Sequence, residues 1–412
     1  MEETQRDLAS PLAILRSGTT EILQEEELQG RLDAAEKRGV PLKVKLGVDP
    51  SRPDLHIGHG VVLRKLRQFQ DLGHQVVLVI GDFTGRVGDP SGRSTSRPQL
   101  SEAEVDRNAA TYLAQVGRVL DPEKTEIRRN SEWLGPLDLG RLIRLMGTFT
   151  VARMLEREDF QRRFQEARPI HLHEFAYPLM QGYDSVALEA DVEIGGMDQK
   201  FNLIAARHIQ REWGQTAEVA VLMPLLVGLD GVEKMSKSLG NDVAVDLPPE
   251  EMFGRLMSVT DEMIVPYLEL AAGAPPETVT RLAAGLADGT IHPRLAKAEM
   301  ARAVVRVYWG ADSATRAAEA FDARFSRRDL TGDLPEVALP ASMRGLGRVR
   351  VVRLLVEVGL APSAAEARRL IAAGAVELDD ERPRDAEAEW TPRDGAVVRV
   401  GRHRFARMRV GP

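Results

Sequence analysis

Two short runs in the 412-residue chain combine residues able to handle a phosphoryl group. His56-Ile57-Gly58-His59 brings two imidazoles and a backbone position without a side chain into one turn. Neutral imidazoles hydrogen-bond phosphoryl oxygens, and glycine lets a flat base or a phosphate approach the main chain. Much further along, Lys234-Met235-Ser236-Lys237-Ser238 lies between Gly231 and Gly240, so two ammonium groups sit on a loop hinged at both ends. Such a pair can spread the charge of a departing pyrophosphate, and one preorganised donor of this kind is typically worth about 3 kcal/mol of barrier. Each run alone also fits surface histidines or a solvated basic loop. Together they make His56, His59, Lys234 and Lys237 the candidate catalytic residues of a nucleotide site.

A third constellation is Tyr177, Gln181 and Asp184, which recur at i, i+4 and i+7 and so share one helical face. That face is polar where a core-facing stripe would be apolar. It fits either a binding pocket or a partly exposed helix surface.

The surrounding pattern supplies elements to hold these groups. Residues 40–49 read as a strand, Asp54 is a candidate cap for a helix with Val62, Leu63, Leu66 and Phe69 at helical spacing, and Gly73 stops it. The apolar run 76–80 is of buried-strand type, which completes a βαβ unit with His56–His59 at a strand-to-helix junction. Ser101 and Glu104 form a capping box, 191–194 reads as a short strand, 197–213 as an amphipathic helix ending at Gly214, and 219–227 as a buried run. Beyond Pro248 the pattern is helical, with breaks at Gly273, Pro275 and Pro293. A stretch without periodicity then precedes a compact unit with a second capping box at Ser363 and Glu366.

Composition narrows the class. With 43% hydrophobic and 28% charged residues the chain folds, and its length suggests two or three domains. No cysteine is present, which excludes disulfide frameworks and thiolate chemistry and fits a reducing compartment. The net charge of −7 argues against indiscriminate coating of nucleic acid, although residues 347–412 carry 13 Arg against 10 acidic residues. No run reaches the roughly 18 apolar residues of a membrane helix, and the start lacks a signal pattern, so a cytoplasmic protein without a membrane partner is expected.

The paired runs resemble the HIGH and KMSKS signatures of class I aminoacyl-tRNA synthetases, and both occur letter for letter. The resemblance implies formation of an aminoacyl adenylate from an amino acid and ATP, then esterification of the terminal ribose of tRNA. Gly58, Met235, Ser236 and Ser238 then join the histidines and lysines as ATP contacts. The stretch carrying Tyr177, Gln181 and Asp184 resembles bacterial-type tyrosyl-tRNA synthetases, which implies that Tyr177 and Gln181 bind the substrate's α-amino group and Asp184 its phenol hydroxyl. A buried acceptor built for a hydroxyl is left unpaired by phenylalanine, which makes the carboxylate the specificity element. Further similarity implies Asp49 and Ser51 on the ATP side, Asp89 on the ammonium group and Arg93 with Arg97 near the phosphates. It also implies Gly196 and Asp198 at the ribose hydroxyls and Gln199 near the tyrosine. One departure is Lys45, eleven positions before His56, where the family often has a tyrosine that touches the substrate hydroxyl; either Asp184 carries that role or Lys45 points elsewhere as the strand alternates.

The run 363–371 resembles a small RNA-binding module shared with a small-subunit ribosomal protein. It implies that Arg368 and Arg369, with Arg350 and Arg353, meet the tRNA backbone; exposed arginines on an amphipathic helix are the plainer reading. The expected architecture is α/β: a Rossmann-like parallel sheet over 1–245 binding ATP and tyrosine, and an all-α anticodon-side domain over 246–330. A linker over 331–346 and a small α+β RNA-binding domain over 347–412 complete it. The expected partners are tRNA(Tyr), L-tyrosine and ATP with Mg2+ carried by the nucleotide rather than by a protein metal site, and a second copy in a homodimer. The rival readings are a tryptophanyl-tRNA synthetase, a small nucleotidyltransferase and a noncatalytic RNA-binding paralogue.

Overall fold

A computed structural model describes residues 10–50, 53–90, 101–325, 335–379, 381–383, 385–401 and 404–410. The chain divides into two compact units, Met1–Ala320 and Phe321–Pro412. The first is built on a six-stranded sheet of β1 (Glu21–Leu23), β2 (Lys43–Val48), β3 (Gln75–Ile80), β4 (Thr125–Arg129), β5 (Val192–Gly196) and β6 (Val219–Met223). Their order is β1-β6-β5-β2-β3-β4, with every pair parallel except β1 with β6. Strands covered on both faces read as continuous apolar runs, and β6 is buried at every position. The order reverses between β2 and β5, which opens a crevice at the carboxyl ends of these strands.

The helix Ile57–Asp71 follows β2 and buries Val61, Leu63, Leu66 and Phe69. Its N-cap is His56 rather than Asp54: the His56 backbone N–H donates to His59 Nδ1 at 3.2 Å, while Asp54 is drawn away to Lys237. The Ser101 and Glu104 capping box forms as the spacing predicts. The helices Leu172–Leu188 and Lys200–Glu212 pack so closely that a Cβ on Gly182 would stand 2.6 Å from Ile209 Cδ1 and 3.0 Å from Ala206 Cα. Only glycine allows that approach, and it presses the Tyr177 helix against its neighbour. The helices Pro249–Leu256 and Pro276–Ala287, beyond residue 246, belong to the same compact unit as the sheet. Tyr267 is fully buried there and donates to the Val227 carbonyl at 2.8 Å, tying the helical segment to the chain leaving β6.

The second unit has its own core, including Leu354, Leu355, Ile371, Val376, Val398 and Met408. The helices Val351–Glu357 and Ala364–Ala372 pack with a sheet of β7 (Glu336–Ala338), β9 (Val376–Leu378), β11 (Val397–Val400) and β12 (Arg404–Arg409). A short pair of β8 (Val349–Arg350) and β10 (Glu389–Trp390) stands beside it. Of the stretch expected as a linker over 331–346, the described residues 335–346 contribute structure: β7 pairs with β12 in parallel, and Leu339 and Met343 enter the core. Among the described residues no helix is long and apolar enough to cross a membrane.

Candidate active site

The crevice in the first unit is a cleft of about 720 Å³ lined by both signature runs, by Tyr177, Gln181 and Asp184, and by Asp49, Asp89, Gly196, Asp198 and Gln199. The runs are physically joined. Ile57 N–H donates to the Val243 carbonyl and Val245 N–H to the Leu55 carbonyl, both at 2.9 Å, so His56 and Ala244 form a β-bridge. Upstream, Lys234 bridges to Val227 and Met235 N–H donates to Leu226 at 2.8 Å, with the Met235 side chain buried. Ser236 N–H donates to Asn241 Oδ1 at 2.8 Å, and Gly231 and Gly240 take positive φ values of 72° and 67° at the loop's turns.

The four candidate catalytic side chains meet at the mouth. The rings of His56 and His59 lie 3.9 Å apart between centroids. Burial first, then the neighbouring His59, Lys237 and Lys234 charges, pushes the His56 imidazole down to about 2. His59 shifts the same way, chiefly through desolvation, although part of its surface stays open to solvent. Both rings are thus neutral near pH 7 and can offer a hydrogen bond without carrying charge. Gly58 is required here, because a Cβ would lie 2.8 Å from His56 Nδ1. Lys234 Nζ pairs with Asp198 Oδ2 at 3.3 Å, and Lys237 pairs with Asp54.

Deeper in, Tyr177 Oη donates to Asp49 Oδ2 at 2.7 Å and Thr84 Oγ1 donates to Asp49 Oδ1 at 2.8 Å. Asp89 accepts from Gln199 Nε2 at 3.0 Å and faces the Arg157 guanidinium at 3.5 Å. Arg157 is itself buried and also held by Asp159 at 2.7 Å. Asp184 is 4% exposed and accepts from Trp133 Nε1 at 2.7 Å and from Asn130 Nδ2 at 3.4 Å. Burial pushes its carboxyl up to about 7, against the pull of Lys45 and of those two hydrogen bonds. Gln181 Nε2 donates to Glu193 Oε1 at 3.1 Å.

Lys45 points beneath the pocket, where its ammonium meets Glu193 Oε1 at 3.1 Å, Ser185 Oγ at 2.6 Å and the Gln181 carbonyl at 3.3 Å. Asp54, Thr84, Asn130, Trp133 and Glu193 are cleft residues or direct partners of them that sequence reasoning did not single out for the site, Asp54 having been read only as a helix cap. The polar Asn130-Ser131-Glu132-Trp133 run at the end of β4 is the signal that points to two of them. Ser51, Arg93 and Arg97 lie outside the described residues. In the second unit Arg350, Arg353, Arg368 and Arg369 are all exposed, three of them beside surface acids: Arg350 with Glu387, Arg353 with Glu357 and Arg369 with Glu366. Among the described residues no cluster of three or more histidine and acidic side chains is placed to hold a metal ion.

Residues 37–326 match the family model of class I tRNA synthetases (W and Y), and residues 328–406 match that of the tyrosine–tRNA ligase SYY-like C-terminal domain. Fold and site together define a class I tRNA synthetase. The chain is 53% identical over 404 residues to a tyrosine–tRNA ligase of Moorella thermoacetica, covering 98% of this chain and 97% of that one. It is 47% identical over 398 residues to that of Thermotoga maritima, covering 97% of each. The fold is shared with the tyrosyl-tRNA synthetase of Archaeoglobus fulgidus solved with L-tyrosine, at a TM-score of 0.60 and 21% identity over 75% of this chain and 98% of that one. The chain belongs to the tyrosine–tRNA ligase family.

Proposed function

We infer that the protein activates L-tyrosine with ATP and transfers it to the terminal ribose of tRNA(Tyr). The observation that carries this reading is the convergence, in one cleft, of both phosphate-handling runs with a buried carboxylate at its floor. The tyrosine carboxylate attacks the α-phosphorus in line, the bond to the β-phosphate breaks, and pyrophosphate leaves. No protein nucleophile is needed. His56 and His59 donate hydrogen bonds to phosphoryl oxygens, and Lys234 and Lys237 exchange Asp198 and Asp54 for the developing charge of pyrophosphate. Gly196 and Asp198 take the ribose. Asp89, Tyr177, Gln181 and Gln199 surround the substrate ammonium, and Asp184 accepts from the phenol. In this reading Asp49 acts by orienting Tyr177, and Ser51, Arg93 and Arg97 serve the nucleotide. Magnesium accompanies ATP as part of the substrate.

A tryptophan substrate would also find an acceptor in Asp184; the relatives favour tyrosine. Residues 1–245 carry the activation chemistry, 246–330 the anticodon side, and the arginines Arg350, Arg353, Arg368 and Arg369 of the second unit the tRNA backbone. Leu139, Ile143, Met146, Val151, Phe164 and Leu172 are all exposed, an apolar set that supports pairing with a second copy. The reaction's tRNA substrate argues for a cytoplasmic enzyme. Tyrosine-dependent exchange of labelled pyrophosphate into ATP tests the reading: exchange is expected with tyrosine, and exchange driven by tryptophan alone would replace it.

A further inference from the structure

Beneath the pocket floor lies a buried charge cluster that the reaction itself does not use. Lys45 and Glu193 are 1% exposed, Glu218 and Ser185 are fully buried, and Asp184, buried as well, is the residue before Ser185. Lys45 and Glu193 are register partners on the adjacent parallel strands β2 and β5, so their side chains emerge on the same face of the sheet. Ser185, one position after Asp184, accepts from Lys45 and passes a hydrogen bond on to Glu218 Oε1 at 3.0 Å. Glu193 Oε1 is shared between Lys45 and Gln181 Nε2. A buried ammonium among acids is costly unless each contact is used, so its presence calls for a role.

We propose that Lys45 is a specificity-determining positioning residue: from beneath the pocket its ammonium keeps Asp184 a carboxylate acceptor for the tyrosine hydroxyl and holds Gln181 in place. The proposal rests on the tyrosine-activating reading and adds a residue to it. Three acids stand around one cation. Burial works against the Lys45 charge, but Glu193, Glu218 and Asp184 outweigh it and raise its pKa, so the ammonium persists. Burial raises Glu218 well above the usual carboxylate range, with Glu193 adding to it, so Glu218 is the acid that takes a proton. The charged groups around Asp184 are then Lys45 from β2, pulling it down, and Glu193 from β5, pushing it up. On its other side Asn130 and Trp133 are uncharged. Arg128 stacks over the Trp133 ring at 5.4 Å, and Asp49 lies beyond Thr84. The ionisation of Asp184 is balanced between Lys45 and Glu193, so removing either charge should move it in opposite directions.

The test is tyrosine-dependent pyrophosphate exchange by the full-length chain between about pH 6 and about pH 8.5, the range around one titration step. The wild-type KM for tyrosine should rise as pH falls through about 7, where Asp184 takes up a proton. Lys45→Met should move that rise upward by about one pH unit or more, equivalent to about a fivefold weaker KM at pH 7, with the KM for ATP unchanged. Glu193→Gln, which keeps an acceptor for Lys45 and Gln181, should move it downward. In an Asp184→Asn background neither substitution should leave a pH-dependent effect. Shifts of the same sign, no shift, or an equal loss at every pH would overturn the proposal while leaving wild-type exchange intact. Should Lys45→Met fail to fold, Glu193→Gln alone decides: a downward shift supports the role and an unmoved profile ends it. Wild-type protein without tyrosine-dependent exchange would overturn the underlying reading as well.

Discussion

Replacing Asp184 by asparagine isolates the charge at the pocket floor with almost no change of volume. Trp133 Nε1 sits 2.7 Å from one carboxylate oxygen, so the amide must turn its single acceptor there. Its NH2 group then faces Asn130 Nδ2, which approaches the other oxygen at 3.4 Å, so a donor meets a donor there, and the substrate hydroxyl loses its charged acceptor. A hydrogen bond to a charged group contributes about 1.5–3 kcal/mol, which is about a 10- to 150-fold loss in kcat/KM for tyrosine. Phenylalanine makes no such bond, and its kcat/KM should change by less than about threefold, well under that loss. Pyrophosphate exchange measured with both amino acids gives the ratio directly. Equal losses for the two would refute the assignment of Asp184 to the phenol.

Lys237→Ala should lower kcat of the activation step by about 100-fold, the worth of one preorganised donor, with little change in tyrosine KM; single-turnover adenylate formation checks the split. Because the Asp184 carboxyl sits at about 7 and the histidine rings lie below their ordinary range, the neutral-pH limb of kcat/KM for tyrosine belongs to Asp184. Tyrosine use should therefore fall as pH drops through that value as the acceptor protonates, a limb that persists in His56→Asn and disappears in Asp184→Asn. Arg368→Glu with Arg369→Glu should raise the tRNA KM in aminoacylation, with the difference from wild type shrinking as salt rises, and leave pyrophosphate exchange unchanged.

The parts of this protein that were legible in its sequence are those whose physics is local. The two signature runs are contiguous, so their chemistry can be read without the fold. The strands at 76–80 and 219–223 announce themselves as unbroken apolar runs because both faces are covered. Asn130, Trp133 and Thr84 were not legible as site residues, since the segments that follow β3 and β4 are brought together only by the strand order. Lys45 stood out as a departure from the family pattern, but its partner Glu193 is fixed by the pairing of β2 with β5, which no spacing reveals. Asp54 has the composition of a helix cap, yet the long-range pull of Lys237 wins and leaves the cap to His56. The three residues of β7 are too few to show a period, so residues 336–338 read as linker.

The bridge between His56 and Ala244 has a mechanical consequence. With Lys234 stapled to Val227 at one end and Ala244 to the histidine turn at the other, the intervening stretch that carries Lys237 is anchored at both ends. A pull on Lys237 would therefore be borne in part by the histidine turn. If that lysine holds the departing pyrophosphate, its load would reach the imidazoles through the bridge, and grip on the nucleotide would be geared to release of its leaving half.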